Sequence, residues 1–279
     1  MAASTWVRRR QACRRISSDE MPLPKIVSGP AYSAYESQLE KEVLSGLIPQ
    51  HIAFIMDGNR RYAKEVLNAP TTEGHRLGKD KLNEVVHWCL ELGIHHMTVY
   101  AFSTENFKRD PTEIDYIMEL MEKSFYEFAE DKDVHSHHVA IKLIGDLELI
   151  PENVLKAADY AMERTKDYKD FTLNMAVAYG GRQDIANVVR QIATKVRDGE
   201  IDVDDIDEDM IGSYISTGDI PDPDLILRTS GEMRISNFLL WQMAYSELYF
   251  TDVYWPGFRY IDFLRAIRTY QQRKRRYGA

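Results

Sequence analysis

His51-Ile-Ala-Phe-Ile-Met56 is a short apolar run that stops abruptly at Asp57-Gly58-Asn59-Arg60-Arg61. Such a run, bounded by turn residues, reads as a strand buried on both faces, and the polar residues after it as the loop leaving its carboxyl end. The pattern recurs at His96-Met-Thr-Val-Tyr-Ala-Phe102, Val139-Ala-Ile-Lys-Leu-Ile-Gly145, Phe171-Thr-Leu-Asn-Met-Ala-Val177 and Asp224-Leu-Ile-Leu227. Between these runs lie longer segments of helical period, such as 81–92 and 114–128. The alternation predicts an α/β fold with a central, mostly parallel sheet covered by helices, and function in the loops at the strands' carboxyl ends. No internal repeat, low-complexity block or Gly/Ser-rich linker divides the body, so 48–279 is expected to be one domain. Ahead of it, Tyr35, Leu39, Val43 and Leu47 recur weakly at helical spacing, and 21–47 reads as a helical lead-in.

Composition narrows the function classes. With 279 residues, 44% hydrophobic and 28% charged, the chain can bury a sizeable core. It has no uninterrupted apolar stretch long enough to span a bilayer, so contact with lipid is expected to be peripheral at most. Two cysteines, Cys13 and Cys89, make neither a disulfide framework nor a CxxC metal site, which suits a reducing, cytoplasmic setting. The formal charge is −9, yet Arg8, Arg9, Arg10, Arg14 and Arg15 sit in an acid-free start; without those five cations the remainder carries −14. Residues 1–20 are therefore expected to be a disordered basic tail. An acidic body disfavours nucleic acid as a partner and requires that any anionic ligand be held by a local basic site.

Three apolar runs end in polar clusters that a core does not need: Asp57-Gly-Asn-Arg-Arg61, Ser103-Thr-Glu-Asn106 and Arg228-Thr-Ser-Gly-Glu-Met-Arg234. Together they supply a carboxylate for a hard cation, arginines that grip phosphate bidentately, and small residues that admit an anion close to the backbone. Singly each is an ordinary turn or loop; jointly placed at strand ends they point to diphosphate chemistry.

The motif His51-Ile-Ala-Phe-Ile-Met-Asp-Gly-Asn-Arg-Arg-Tyr-Ala63 resembles the opening signature of the cis-prenyltransferases, the undecaprenyl and dehydrodolichyl diphosphate synthase-like family. Tyr100-Ala-Phe-Ser-Thr-Glu-Asn106, Ala178-Tyr-Gly-Gly-Arg182, Arg228-Thr-Ser-Gly-Glu232, Arg234-Ile-Ser-Asn-Phe-Leu-Leu-Trp241 and Glu247-Leu-Tyr-Phe250 resemble its later motifs, in the family's order. The resemblance implies a Mg²⁺-dependent enzyme that condenses isopentenyl diphosphate with geranylgeranyl or farnesyl diphosphate. The product would be a long polyprenyl diphosphate of mixed Z,E geometry, the precursor of a glycosyl carrier lipid. It implies that Asp57 binds Mg²⁺ and assists departure of the allylic diphosphate, which Gly58, Asn59, Arg60, Arg61, Tyr62 and His75 would cradle. Arg228, Arg234, Ile235 and Ser236 would hold isopentenyl diphosphate, with Glu247 as a further Mg²⁺ ligand or else a surface acid. Ser103, Thr104, Glu105, Asn106, Phe107 and Arg109 would line the junction of the two substrates. Asn106 would orient the proton transfer rather than accept the proton, because a neutral amide is a very poor base. The resemblance also implies a homodimer, with Arg276 and Gly278 of each C-terminal tail reaching the other subunit's site.

Departures bear on that reading. Asn68-Ala-Pro-Thr-Thr-Glu73 offers no basic residue where many relatives carry one, and Arg60-Arg61-Tyr62 with Phe107 is closer to archaeal and eukaryotic members. Alternatives are one transfer of a short prenyl group to another acceptor, or a non-catalytic partner subunit. Asp204-Asp205-Ile206-Asp207-Glu208 reads as a solvated acidic loop rather than the metal motif of the all-helical trans-prenyltransferases. Trp241 and Phe238 read as core. Ile114, Ile117, Met118, Met121, Phe125 and Phe128 read equally as core or as the wall of a product tunnel.

Overall fold

All five residues of β1 (His51–Ile55) are buried, which is why the sequence there shows a continuous apolar run instead of alternation. In the computed structural model, which describes residues 29–273, β1 lies inside a six-stranded sheet with β2 (His96–Ser103), β3 (Val139–Ile144), β4 (Phe171–Tyr179), β5 (Leu225–Arg228) and β6 (Glu247–Phe250). The order is β3-β4-β2-β1-β5-β6, and every pairing is parallel. The described residues divide between Glu42 and Val43 into two compact units. Of the first, only the helix α1 (Gly29–Leu44) is described, up to that boundary; the basic stretch 1–20 and the Arg276–Gly278 tail lie outside the described residues.

Five of the six strands coincide with the apolar runs. The sixth, β6, is a four-residue edge strand whose positions are all half-buried, so it lacks the fully apolar run that marks the others. Glu247 accordingly stands in a strand, not on a helix surface. Parallel neighbours require crossover connections, supplied by α2 (Thr71–Glu91), α3 (Pro111–Glu130), α4 (Glu152–Thr165) and α5 (Gly181–Arg197), while α6 (Tyr260–Gln272) follows the sheet. Asp110 caps α3 by accepting from Thr112 N at 2.9 Å, and Pro111 fills the first helical position. Helix α3 buries Ile117, Met118, Met121, Phe125 and Phe128 and packs against α4.

Two apolar layers hold the sheet. Ala53, Ile55, Ile144, Ala176, Ile226 and Phe238 form one, with Tyr100 stacked on Phe238 at 4.5 Å between ring centroids. Phe54 belongs to another aromatic cluster, lying 5.8 Å from Trp255, which in turn stacks on Phe258. Phe238 is thus core, and half-buried Trp241 packs against the cluster of Val188, Ile192 and Ile215. Beyond β1 the chain turns toward β2, whereas beyond β5 it turns the opposite way to β6. Such a switch opens a crevice at the carboxyl ends of the two adjacent strands.

The amino end of β1 is closed by a polar network, in which the Asp224 carboxylate accepts from His51 N at 3.1 Å. His51 Nδ1 donates to the Pro221 carbonyl at 2.7 Å, and its Nε2 accepts from the Thr98 hydroxyl at 2.8 Å; Thr98 also accepts from Asn174 at 3.1 Å. Burial, reinforced by His96 and opposed by the Pro221 bond and Asp224, pulls the His51 pKa down from 6.5 to about 4. Because the folded value is the lower one, the unfolded chain binds the proton first. This stability is complete above pH 6.5 and is lost as the pH falls toward 4. Between pH 7 and 4.5 the wild type should therefore lose roughly 2–3 kcal/mol more stability than His51→Gln in urea unfolding. Equal losses in the two proteins would remove His51 as the cause.

Candidate active site

The β1 loop turns sharply at Gly58, whose φ of 105° is strained for any residue with a side chain, and where a Cβ would also meet the Tyr254 ring at 2.7 Å. The turn continues as a helical stretch over Asn59–Arg61 that widens into a π turn at Tyr62–Val66. Gly74, in the first turn of α2, packs so closely on this loop that a Cβ would lie 2.1 Å from Asn59 O. The Asp57 carbonyl accepts from Thr229 Oγ1 at 2.6 Å and Trp255 N at 3.0 Å, so the loops after β1, β5 and β6 converge on one atom.

The Asp57 carboxylate, 30% exposed, accepts from Arg228 Nη2 at 2.8 Å and lies 3.3 Å from Arg61 Nη2. Burial alone would raise its pKa, but hydrogen bonds from Arg228 and Ser230 and the charges of Arg228 and Arg61 outweigh burial and hold it below the ordinary value. Arg228 is only 5% exposed. Its Nη1 donates to Ser236 Oγ at 2.8 Å and to the Arg234 carbonyl, and its buried Nε has no partner among the described residues. Ser230, Ser236 and Asn237 adopt left-handed φ values of 77°, 51° and 65°. Each costs on the order of 1 kcal/mol or more and persists only where surrounding bonds enforce it. Here they do: Ser236 holds Arg228, and Asn237 Oδ1 accepts from Arg182 N at the start of α5.

Arg61 donates to Ser230 Oγ at 2.6 Å, pairs with Glu232 at 3.4 Å and lies 5.5 Å over the Tyr254 ring. Glu232 also pairs with Arg234, which is 61% exposed, so one carboxylate links the two arginine clusters. The loop from Asp57 to Arg61 lines a cavity of about 360 Å³ with Met56, Lys64 and Arg109, four cations against one acid. His75 is buried beneath it and donates through Nε2 to Glu113 Oε1 at 3.1 Å. Burial, opposed by Glu113 and aided by Arg109 and Arg60, lowers the His75 pKa and keeps the ring neutral at pH 7. Tyr62 does not line the cavity; its ring lies against Gly257.

On the third loop, Ser103 and Asn106 form a capping box, with Asn106 Oδ1 accepting from Ser103 N at 3.2 Å. That carbonyl oxygen is thereby tied down, leaving the amide NH₂ as the end suited to meet a substrate. Phe107 packs edge-on against Phe102 at 4.9 Å. Thr104 donates to Glu105, and Glu105 accepts from Asn237. Glu105 lines a second cavity, of about 300 Å³, with Ile235, Arg182, Asn237 and Leu240. Glu247 is not brought to Asp57 within the chain. It pairs in register with Leu225, three residues before the Phe250 that lies beside Arg228, which sets it back along the sheet. At about 3.3 Å per residue that offset is roughly 10 Å, and its carboxylate pairs with Arg273.

Glu113, Ser230 and Tyr254 were not singled out by sequence. An acid in the first turn of a helix is ordinarily a complement to the helix dipole, so Glu113 carried no distinguishing signal. The donor set suits a magnesium ion in one way. No group of three or more His, Cys, Asp or Glu that could hold a metal occurs among the described residues. Mg²⁺, however, commonly takes one carboxylate and completes its shell with water and phosphate oxygens. Half-exposed Asp57 beside a cationic cavity fits an ion that arrives with a diphosphate.

A parallel α/β sheet with a cationic crevice at a topological switch defines an enzyme fold equipped for anionic substrates. The model of the family described as "Putative undecaprenyl diphosphate synthase" matches residues 55–278, and the chain belongs to this family of cis-prenyltransferases. It is a prenyltransferase. The tritrans,polycis-undecaprenyl-diphosphate synthase (geranylgeranyl-diphosphate specific) of Methanocaldococcus jannaschii is 53% identical over 246 residues, covering 88% of each chain. The protein of the same name from Thermococcus kodakarensis is 51% identical over 256 residues, covering 92% of this chain and 97% of its own. Among solved structures, lavandulyl diphosphate synthase from Lavandula x intermedia, in complex with dimethylallyl diphosphate, superposes with a TM-score of 0.78 at 35% identity. That likeness covers 85% of this chain and all of that one. A probable undecaprenyl diphosphate synthase from Campylobacter jejuni gives 0.68 at 29% identity over 83% of this chain and 99% of its own.

The close packing of α2 on the β1 loop yields a test. Gly74→Ala should push the Asn59 backbone out of place, lowering both melting temperature and turnover, with turnover falling at least tenfold. An active, equally stable variant would show that the loop yields without consequence.

Proposed function

We propose that the chain condenses isopentenyl diphosphate with geranylgeranyl diphosphate, with Mg²⁺ held at Asp57, and repeats the addition to give an undecaprenyl-length diphosphate for use as a glycosyl carrier lipid precursor. The observation that carries this reading is the Asp57–Arg228 pair, which joins a cationic cavity on the β1 side to the Arg228–Ser236 cluster on the β5 side. Two diphosphates need two such seats with their reacting ends adjacent. The geranylgeranyl-diphosphate specificity in the names of the archaeal relatives supports the choice of starter.

In the reaction the allylic C–O bond breaks, the isopentenyl double bond supplies the electrons of the new C–C bond, and a proton leaves the adjacent carbon to restore a double bond. Arg60, Arg61, Lys64 and Arg109 face the leaving diphosphate, where negative charge grows in the transition state and fixed cations stabilise it most. When bound, Mg²⁺ would add a further positive charge at the leaving oxygens. Arg228, Arg234 and Ser236 hold the isopentenyl diphosphate. Asn106 orients that substrate through its amide NH₂, and a diphosphate oxygen takes the proton. Among the described residues no helix is long and apolar enough to cross a membrane. A cytoplasmic enzyme with at most peripheral membrane contact, releasing a lipid product, accords with that.

Labelled isopentenyl diphosphate offered with dimethylallyl, geranyl, farnesyl and geranylgeranyl diphosphates should give long products, most efficiently from the last. Asp57→Ala should lose most turnover and, by leaving the buried Arg228 guanidinium without its carboxylate, also lower the melting temperature. Short products made only with dimethylallyl diphosphate would replace this reading by a single transfer, the alternative raised by the lavandulyl diphosphate synthase likeness. We assign the enzyme a homodimeric form in which Arg276 and Gly278 serve the neighbouring site. Mixing Asp57→Ala with a variant lacking the last four residues should then restore activity that neither shows alone, whereas no recovery after proven subunit exchange would refute the shared site.

A further inference from the structure

Glu113 stands outside every role so far assigned, yet it ties two separate parts of the cavity wall to the buried His75. It is 8% exposed, in the first turn of α3. Its Oε1 accepts from His75 Nε2 at 3.1 Å and Arg109 Nη1 at 3.2 Å, and its Oε2 lies 3.6 Å from Arg60 Nε. Those partners come from α2, from the end of the β2 loop and from the β1 loop. Segment 68–73 brings no cation to this cavity, so the basic wall depends on Arg60, Arg61, Lys64 and Arg109.

Four cations around one small cavity repel one another and do not converge unless something holds them. Arg61 is held by Ser230 and Glu232 of the β5 loop and by Asp57 of its own loop. For Arg60 and Arg109 the paired carboxylate is that of Glu113. Burial draws the Arg109 guanidinium below its ordinary value, with the Glu113 charge opposing that shift and Arg60 adding to it. Arg109 is thus a partly buried cation beside another cation, which needs a fixed counter-charge to remain aimed at the cavity.

We propose that Glu113 is the positioning residue of the allylic-diphosphate pocket, its buried carboxylate holding Arg60 and Arg109 at the cavity wall and fixing His75 below them. The assignment rests on the reading that this cavity takes the allylic diphosphate. It leads to an effect opposite in sign to charge counting. Removing a negative charge next to an anion site should, by long-range electrostatics alone, tighten anion binding; removing an anchor should weaken it.

The full-length Glu113→Gln protein separates the two. Its KM for geranylgeranyl diphosphate should rise roughly tenfold or more, the scale of losing an aligned charge-assisted contact. Its KM for isopentenyl diphosphate should stay within about twofold, and inorganic diphosphate, titrated with Mg²⁺ present, should bind correspondingly more weakly. A residue that serves only folding would lower the melting temperature and the active fraction while leaving the ratio of the two KM values unchanged, and that result overturns the proposal. So does unchanged or tighter diphosphate binding. Should Glu113→Gln fail to fold, Glu113→Asp keeps the charge but shortens the reach, and the same KM split is expected there; its absence is equally fatal. Arg60→Gln should cost less in the Glu113→Gln background than alone, because Arg60 has then already lost its anchor; additive costs would count against the anchoring of Arg60. Arg61→Ala distinguishes the two levels of failure. If it leaves the allylic KM unchanged, the cavity is not that substrate's seat and the reading falls with the proposal; if it raises that KM while Glu113→Gln does not, the proposal alone falls.

Discussion

Pairing of β1 with β5 in the register Ile55 opposite Arg228 is the constraint on which the site depends. It sets the first acid beyond β1 beside the last residue of β5, a guanidinium almost wholly removed from water. A charge so buried costs several kcal/mol unless it is paired and its donors are satisfied. Asp57, Ser236 and the Arg234 carbonyl meet that requirement. Ser236 can do so only from a left-handed backbone, so strand register, charge pairing and loop strain are conditions of one another. A slip of one residue between these strands would turn Arg228 to the other face of the sheet and dissolve all three at once.

The two rims of the sheet treat polar groups in opposite ways. At the amino rim the side chains of His51, Thr98 and Asn174 bond one another without charge, and the Asp224 carboxylate is taken up by the backbone N–H groups of Gln50 and His51. At the carboxyl rim charges are concentrated, and cations outnumber acids around the cavity although the chain as a whole is strongly acidic. A diphosphate approaching from a distance is therefore repelled, and attraction sets in only within about a Debye length, roughly 8 Å at physiological ionic strength. Selection rests on the short-range fit of guanidinium groups rather than on long-range steering.

The buried strands were legible because a parallel sheet covered on both sides leaves a continuous apolar signature, and five of them were found from it. Strand β6 was missed as an element: a half-buried edge strand of four residues has no such signature. The Asp57–Arg61 and Arg228–Ser236 loops were legible from their polar residues at strand ends, and the sheet order then explains their adjacency. What the sequence could not show is which groups hold which. Glu113 looked like any acid at a helix start, and the partnership of Arg61 with Tyr254 and Glu232 joins residues far apart in the chain. The offset of Glu247 from Asp57 depends on strand register, which no local pattern encodes.

The contact between Gly74 and the Asn59 carbonyl has a consequence for the energetics of turnover. A loop wedged between a helix and a strand end cannot retreat when the cavity empties, nor must it be gathered in when the cavity fills. Its conformational entropy is lost once, as the chain folds, rather than anew with each substrate bound. Under the proposed repeated addition, the β1 loop would stand ready at every cycle.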